Sequence, residues 1–196
     1  MSRLLFALMY RLGFTPWEGH ALPARLREIA ERGGHGARAL EVGCGTGDMS
    51  IFLARAGWDV TGVDFVERAL KKARSKAAAA GVTVRFVRGD ATKLEDADLG
   101  GGYRLVLDGG LLHGLSDADR DAYVRGLTAV AAPGATLLII AFEPGASRAP
   151  RGITPAEVAQ RFAADWETVW DGRDDAISNQ PGRPVHVYEL RRRGAV

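Results

Sequence analysis

The chain has one cysteine, Cys44, in 196 residues. No internal disulfide can form, which suits a reducing compartment, so a cytoplasmic location is expected. The four histidines, His20, His35, His113 and His186, are scattered, and none has metal-ligand spacing with another His or with Cys44. No metal centre is therefore expected. No apolar run approaches the roughly 18 residues needed to cross a bilayer, so no membrane segment is expected. The apolar start, Ser2 to Phe14, is interrupted by Arg11 and lacks a small-x-small cleavage site, which argues against a signal peptide. Neither sign of charge dominates: 26 Lys and Arg face 24 Asp and Glu, for a net +2. That balance leaves no strong electrostatic footprint for nucleic acid. Basic residues gather only at Arg68 to Lys76, on an alanine-rich helix where a solvated face accounts for them, and at Arg191 to Arg193. Repeats and low-complexity tracts are also missing.

Hydrophobic residues make up 46% of the chain, enough for one sizeable core. Short apolar runs alternate with helical patterns. Strands are predicted at Ala39 to Val42, Trp58 to Val63, Val82 to Val87, Tyr103 to Leu107, Thr136 to Phe142, Trp166 to Trp170 and Val185 to Leu190. Helices are predicted at Pro23 to Glu31, Thr46 to Ala56, Glu67 to Ala80 and Asp117 to Ala131, with another capped by Thr154, Pro155 and Glu157 in a capping box. Leu4, Leu5, Leu8, Met9 and Leu12 share one helical face at the start. Alternating strands and helices imply an α/β, Rossmann-like three-layer sandwich around a mostly parallel seven-stranded sheet. The last two strands are joined by a loop without a helix, so the final strand should be antiparallel.

The densest signal is Ala39-Leu-Glu-Val-Gly-Cys-Gly-Thr-Gly-Asp48. A buried strand enters three glycines at alternate positions, Gly43, Gly45 and Gly47, and then a helix. Without a Cβ, these positions let a ligand press against the main chain, and the helix start offers N–H groups. Asp64 ends the second strand, where a carboxylate can accept from ribose hydroxyls. After the third strand comes Asp90-Ala91, placed to accept from an adenine amine and to donate from the next N–H, unless Asp90 only caps the turn. These features describe a nucleoside-containing cofactor. The spacing G-x-G-x-G is not that of a dinucleotide fingerprint, whose third glycine would fall at Asp48 and set a carboxylate against a pyrophosphate. Glu41, two residues before the first glycine, suits a cofactor carrying positive charge.

The segment Glu41-Val-Gly-Cys-Gly-Thr-Gly47 resembles motif I of the class I S-adenosylmethionine-dependent methyltransferases, and Ala132-Pro-Gly-Ala-Thr-Leu-Leu-Ile resembles that family's turn into its fifth strand. The resemblance extends from about Leu40 to Leu190. It implies S-adenosylmethionine as cofactor, S-adenosylhomocysteine as product, and a cofactor site of Glu41, Gly43, Cys44, Gly45, Gly47, Asp64, Phe65, Asp90, Ala91, Asp108 and Gly109. Asp108 stands where the family places a polar residue near the transferring methyl group, with its carbonyl or that of Gly109 facing the cofactor's ammonium. Phe14-Thr-Pro-Trp17-Glu18 with Pro23 resembles the lid of the thiopurine and halide/thiol methyltransferase branch, which implies that Trp17 lies over the cofactor; as a residue it reads equally as a core anchor.

Methyl transfer from a sulfonium is a direct displacement, and the protein supplies alignment and excludes water. A hydroxyl or protonated amine acceptor also needs a base. His113, five residues past Asp108, is the candidate, against a reading as a packing or capping residue. Residues 1–35 are expected to form an N-terminal helical lid segment, and residues 36–196 the methyltransferase domain. The short Glu143 to Gly152 connection implies a small-molecule acceptor rather than protein or RNA. A cofactor-binding sensor without transfer is the rival reading, with a nicotinamide oxidoreductase disfavoured by Asp48. Oligomeric state is left open.

Overall fold

The computed structural model describes residues 21–145, 151–174 and 184–194, together with Met9, Leu12, Thr15 and Ile177. Its elements in chain order are α1 (Ala24–Glu31), β1 (Arg38–Val42), α2 (Asp48–Arg55), β2 (Asp59–Asp64), α3 (Glu67–Ala79), β3 (Arg85–Arg88), β4 (Tyr103–Asp108), α4 (Asp117–Val130), β5 (Ala131–Phe142), α5 (Pro155–Phe162), β6 (Trp166–Arg173) and β7 (Val185–Arg192). Short 3-10 turns cover Ala91–Asp96 and Leu112–Gly114.

The strands form a seven-stranded sheet in the order β3-β2-β1-β4-β5-β7-β6. The first five are parallel, and β7 runs antiparallel to both β5 and β6. This is the Rossmann-like sheet expected, with the late antiparallel strand in place. Both faces of the central strands are covered, which is why they read as unbroken apolar runs. On one face Val106, Leu137 and Ile139 pack with Tyr123 and Leu127 of α4 and with Val158 and Phe162 of α5. On the other face Leu105, Leu107, Leu138 and Ile140 pack with Leu26 and Ile29 of α1 and Leu53 of α2. A smaller cluster joins Leu70, Ala73 and Ala77 of α3 to Phe86 and Cys44.

Several bounds differ from expectation: β3 begins at Arg85 rather than Val82, and β6 runs on to Arg173 rather than ending at Trp170. β5 begins at Ala131 rather than Thr136: Ala131 pairs with Tyr103, the ladder breaks across Pro133-Gly134, and pairing resumes at Leu105 and Thr136. Pro133 has no N–H to donate and Gly134 sits at φ +73°, so the chain bulges without leaving the sheet. In α5 the Thr154 hydroxyl accepts from the Glu157 N–H at 3.1 Å, as a capping box requires. The reciprocal half is absent, because the Glu157 carboxylate is drawn to Arg120 at 2.6 Å and Arg161 at 2.8 Å.

Leu26, Ile29 and Ala30 are buried in the sheet's core. The span 24–31, grouped in the sequence with the lid segment 1–35, is thus part of the packed fold; its apolar stripe needs the sheet face to cover it. Before residue 21 the described residues are Met9 and Leu12, both helical, and Thr15; Leu12 is 72% exposed. Tyr10, Trp17 and His20 lie outside the described residues. Among the described residues, no helix is long and apolar enough to cross a membrane, and no group of three or more His, Cys, Asp or Glu could hold a metal ion.

Candidate active site

Parallel pairing brings the carboxyl ends of β1, β2 and β4 side by side: Val42 is in register with Val63 and with Asp108. Open α/β sheets bind ligands at this rim, where the strand order turns outward from β1 in both directions. Gly43, Gly45 and Gly47 form the loop from β1 to α2 and adopt φ of +73°, +53° and +80°. A side chain in that region of backbone space is strained. The glycines are not equivalent. Gly43 is exposed at the rim, whereas Gly47 is buried. A Cβ on Gly47 would lie 2.8 Å from the Phe86 ring and 3.1 Å from Ala73, so this glycine lets α3 and β3 close on the loop. Cys44 points the same way. Its sulfur lies in the α3 cluster against Gly62, and burial pushes the thiol well up from its ordinary value. Cys44 therefore offers the site its backbone and not its thiol.

Asp64 is bound to the loop. Its Oδ2 accepts from the Gly45 N–H at 2.9 Å and its Oδ1 from the Val66 N–H at 2.8 Å. Burial raises its pKa, and the N–H donors of Val66, Gly45 and Phe65 oppose that. A carboxylate has about four lone-pair sites, so these three donors leave capacity for a ribose hydroxyl. Phe65 is half-buried next to Val66 and Ala69. Asp90 caps its turn: its Oδ1 accepts from the Thr92 N–H at 3.0 Å and the Thr92 hydroxyl at 2.8 Å. Half-buried Ala91 follows on the same rim. Glu41 is 2% exposed and receives a hydrogen bond from the Ser50 hydroxyl of α2. Burial pushes its carboxyl up to about 8, against the pull of Ser50 and with help from the charges of Asp48 and Asp64.

The side chains of Asp108 and His113, the two catalytic candidates, each make hydrogen bonds within the scaffold. Asp108 is 0% exposed. Its Oδ1 accepts from the Gly110 and Leu111 N–H groups at 2.9 and 2.6 Å, and its Oδ2 from the Leu112 N–H at 3.0 Å and the Tyr123 hydroxyl at 2.8 Å. All the acceptor capacity of the carboxylate is used to shape the loop after β4. What reaches the rim is its neighbour Gly109, which is exposed. His113 is 7% exposed, and its Nδ1 accepts from the Phe142 N–H at 3.2 Å. Its ring lies 5.1 Å from that of Phe142. An Nδ1 that accepts places the proton of the neutral ring on Nε2, so neither nitrogen has a lone pair to offer an acceptor. His113 packs on Phe142 and accepts its N–H, the packing role that the sequence left open beside a base role.

Sequence reasoning missed three contributors. Tyr123 holds Asp108 and Ser50 holds Glu41. Arg120, fully buried, donates to the carbonyls of Leu112, His113 and Gly152 at 3.2, 3.1 and 2.8 Å and pairs with Glu157 at 2.6 Å. It ties the loop after β4 to the start of α5. A signal for it existed: Arg120 lies on the apolar stripe of Tyr123, Leu127 and Val130, where a charged residue must find partners inside.

Residues 39–134 match the family model described as a methyltransferase domain. The chain is 30% identical over 133 residues to the 2-heptyl-1-hydroxyquinolin-4(1H)-one methyltransferase of Mycobacteroides abscessus, a match spanning 67% of this chain and 57% of that enzyme. It is 33% identical over 104 residues to a 23S rRNA (uracil(747)-C(5))-methyltransferase of Pyrococcus abyssi, spanning 53% of this chain and 24% of that one. Neither relative is covered over two thirds of its length. Among solved structures, the 1,6-didemethyltoxoflavin-N1-methyltransferase of Burkholderia thailandensis, with its substrate and S-adenosylhomocysteine bound, superposes with a TM-score of 0.76 at 26% identity over 97% of this chain and 87% of that chain. Residues 39–134 are thus similar to a methyltransferase domain, and the chain as a whole shares the fold of a solved methyltransferase that holds S-adenosylhomocysteine.

Proposed function

We propose that the protein transfers the methyl group of S-adenosylmethionine to a small-molecule acceptor and releases S-adenosylhomocysteine. The observation that carries this reading is the Gly43–Gly47 loop, left-handed at each glycine, beside Asp64 at the adjacent strand end. When bound, the cofactor supplies an electrophilic methyl on a sulfonium. The chain's residues hold it. The main chain at Gly43, Cys44, Gly45 and Gly47 lines it, Asp64 accepts from the ribose, and Phe65 packs on the adenine. Asp90 and the Ala91 N–H meet the adenine edge. The carbonyls of Asp108 and Gly109 face the ammonium.

The acceptor is bounded by the loops after β4 and β5, both short: Gly109 to Ser116 and Glu143 to Thr154. That favours a small molecule, as does the near full-length likeness to an enzyme whose named substrate is one. The side chains of Asp108 and His113 are engaged within the scaffold, which favours an acceptor that arrives already ionised, such as a thiolate, phenolate or carboxylate.

The test is formation of S-adenosylhomocysteine with the full chain against a panel of thiols, halides, phenols, amines and carboxylates, with total RNA as a separate arm. Turnover confined to small acceptors supports the proposal. Methyl incorporation into RNA alone would move the acceptor class to that of the archaeal relative. Tight cofactor binding with no turnover in any arm would favour a sensor.

A further inference from the structure

Glu41 is sealed between β1 and α2, and its surroundings lack a balancing cation. The Ser50 hydroxyl donates to it. Asp48 on α2 and Asp64 on β2 act on it with the same sign of charge. The Cys44 thiol is buried beside it, and its register partners on the flanking strands are Gly62 and Leu107. On α3, the nearby bases are engaged elsewhere: Lys76 pairs with Asp48 and Arg74 with Glu67. Among the described residues none pairs a positive charge with Glu41. A buried carboxylate without a counter-ion is costly, and the usual escape is to keep the proton. The glycine loop starts two residues further on.

Resting on the cofactor reading above, we propose that Glu41 is a neutral carboxylic acid in the free protein and becomes a carboxylate when a cationic cofactor docks on the Gly43–Gly47 loop. The O–H bond breaks, the proton leaves to solvent, and the carboxylate stays as the counter-charge of the bound cation. No redox partner is needed. Glu41 thereby makes affinity depend on the cofactor's charge and on pH. Below the value of about 8 at which burial holds this carboxyl, binding must eject a proton. Affinity then rises with pH by up to tenfold per unit, the slope for one proton. The cofactor's own amine loses its charge only near pH 8, so the rise is cleanest from about pH 6 to pH 7.

The experiment is calorimetry of S-adenosylmethionine into the full chain at about pH 6.5 in buffers of low and high ionisation enthalpy. The expected result is a buffer-dependent heat equal to release of close to one proton. Glu41→Gln should bind with no such release and a flat pH dependence. Ser50→Ala keeps the carboxyl but removes its donor, so its proton release should persist to higher pH. Binding whose heat is the same in every buffer overturns the proposal, as does an unchanged release from Glu41→Gln in a folded protein. A wild-type chain that binds no S-adenosylmethionine in any buffer overturns the cofactor reading itself.

Discussion

The Gly45 N–H lies 2.9 Å from Asp64 Oδ2, so the glycine loop after β1 is tied to the end of β2 before any ligand arrives. The other oxygen holds Val66 at the head of α3. One carboxylate thus sets the relative position of two rim segments.

Replacing Asp64 should therefore damage binding and shape together. Asp64→Ala strands the Gly45 and Val66 donors and removes the ribose acceptor. We expect cofactor binding to weaken by about 1–3 kcal/mol, read as the dissociation constant of S-adenosylhomocysteine by calorimetry. Asp64→Asn keeps one oxygen acceptor and should lose less. Equal affinity for Ala and wild type would remove Asp64 from the cofactor site.

Asp108 should behave as a structural residue. Asp108→Ala leaves the N–H groups of Gly110, Leu111 and Leu112 and the Tyr123 hydroxyl without their acceptor in the interior. Stranded donors cost about 1–3 kcal/mol each, so urea denaturation should show a protein close to unfolding. Tyr123→Phe deletes one bond and should cost only about 1 kcal/mol. An Asp108→Ala variant of wild-type stability with slowed turnover would restore a catalytic role.

His113 makes a kinetic prediction. Its Nδ1 is held by the Phe142 N–H, so no ionisation in the pH–rate profile should belong to it. His113→Asn should lower the melting temperature and leave the profile's shape unchanged, with the acidic limb following the acceptor's own ionisation. If the limb vanished in this variant, proton abstraction by His113 would have to be reinstated.

Glu143 gives a pH prediction for stability. A hydrogen bond from Arg173, with His186 adding to it, holds its carboxyl down to about 2, below the ordinary 4.5. A group whose folded value is depressed stabilises the fold above its unfolded value and loses that contribution as pH falls toward its folded one. The stability gap between wild type and Glu143→Gln, from urea titrations, should be full above 4.5 and close as pH falls toward 2. A gap independent of pH across that window would mean the pair contributes nothing through charge.

Gly47→Ala should cost more than a usual glycine-to-alanine change. The new methyl meets Phe86 at 2.8 Å and the backbone sits at φ +80°. Left-handed backbone alone costs about 1–2 kcal/mol. Phe86→Leu in the same chain should recover the packing share and leave the backbone share, as thermal denaturation of both variants would show.

The order of elements was legible in the sequence because each strand of the sheet's middle is buried on both faces and each crossover helix carries one apolar stripe. Leu105-Val106-Leu107 and Leu137 to Ile140 could scarcely be anything else, and Gly81 at φ +68° ends its helix where a glycine should. The glycine loop was legible for the same local reason: its backbone conformation is demanded by residues adjacent in sequence. Side-chain roles were not local. Whether Asp108 faces substrate or scaffold depends on Tyr123, fifteen residues away on α4, and whether His113 has a free nitrogen depends on an N–H of β5 twenty-nine residues on. A carboxylate or imidazole in a sequence has a reactive form and a satisfied form. Only the packing of distant donors and acceptors in a low-dielectric interior, where an unpaired polar group is costly, decided which form each one took.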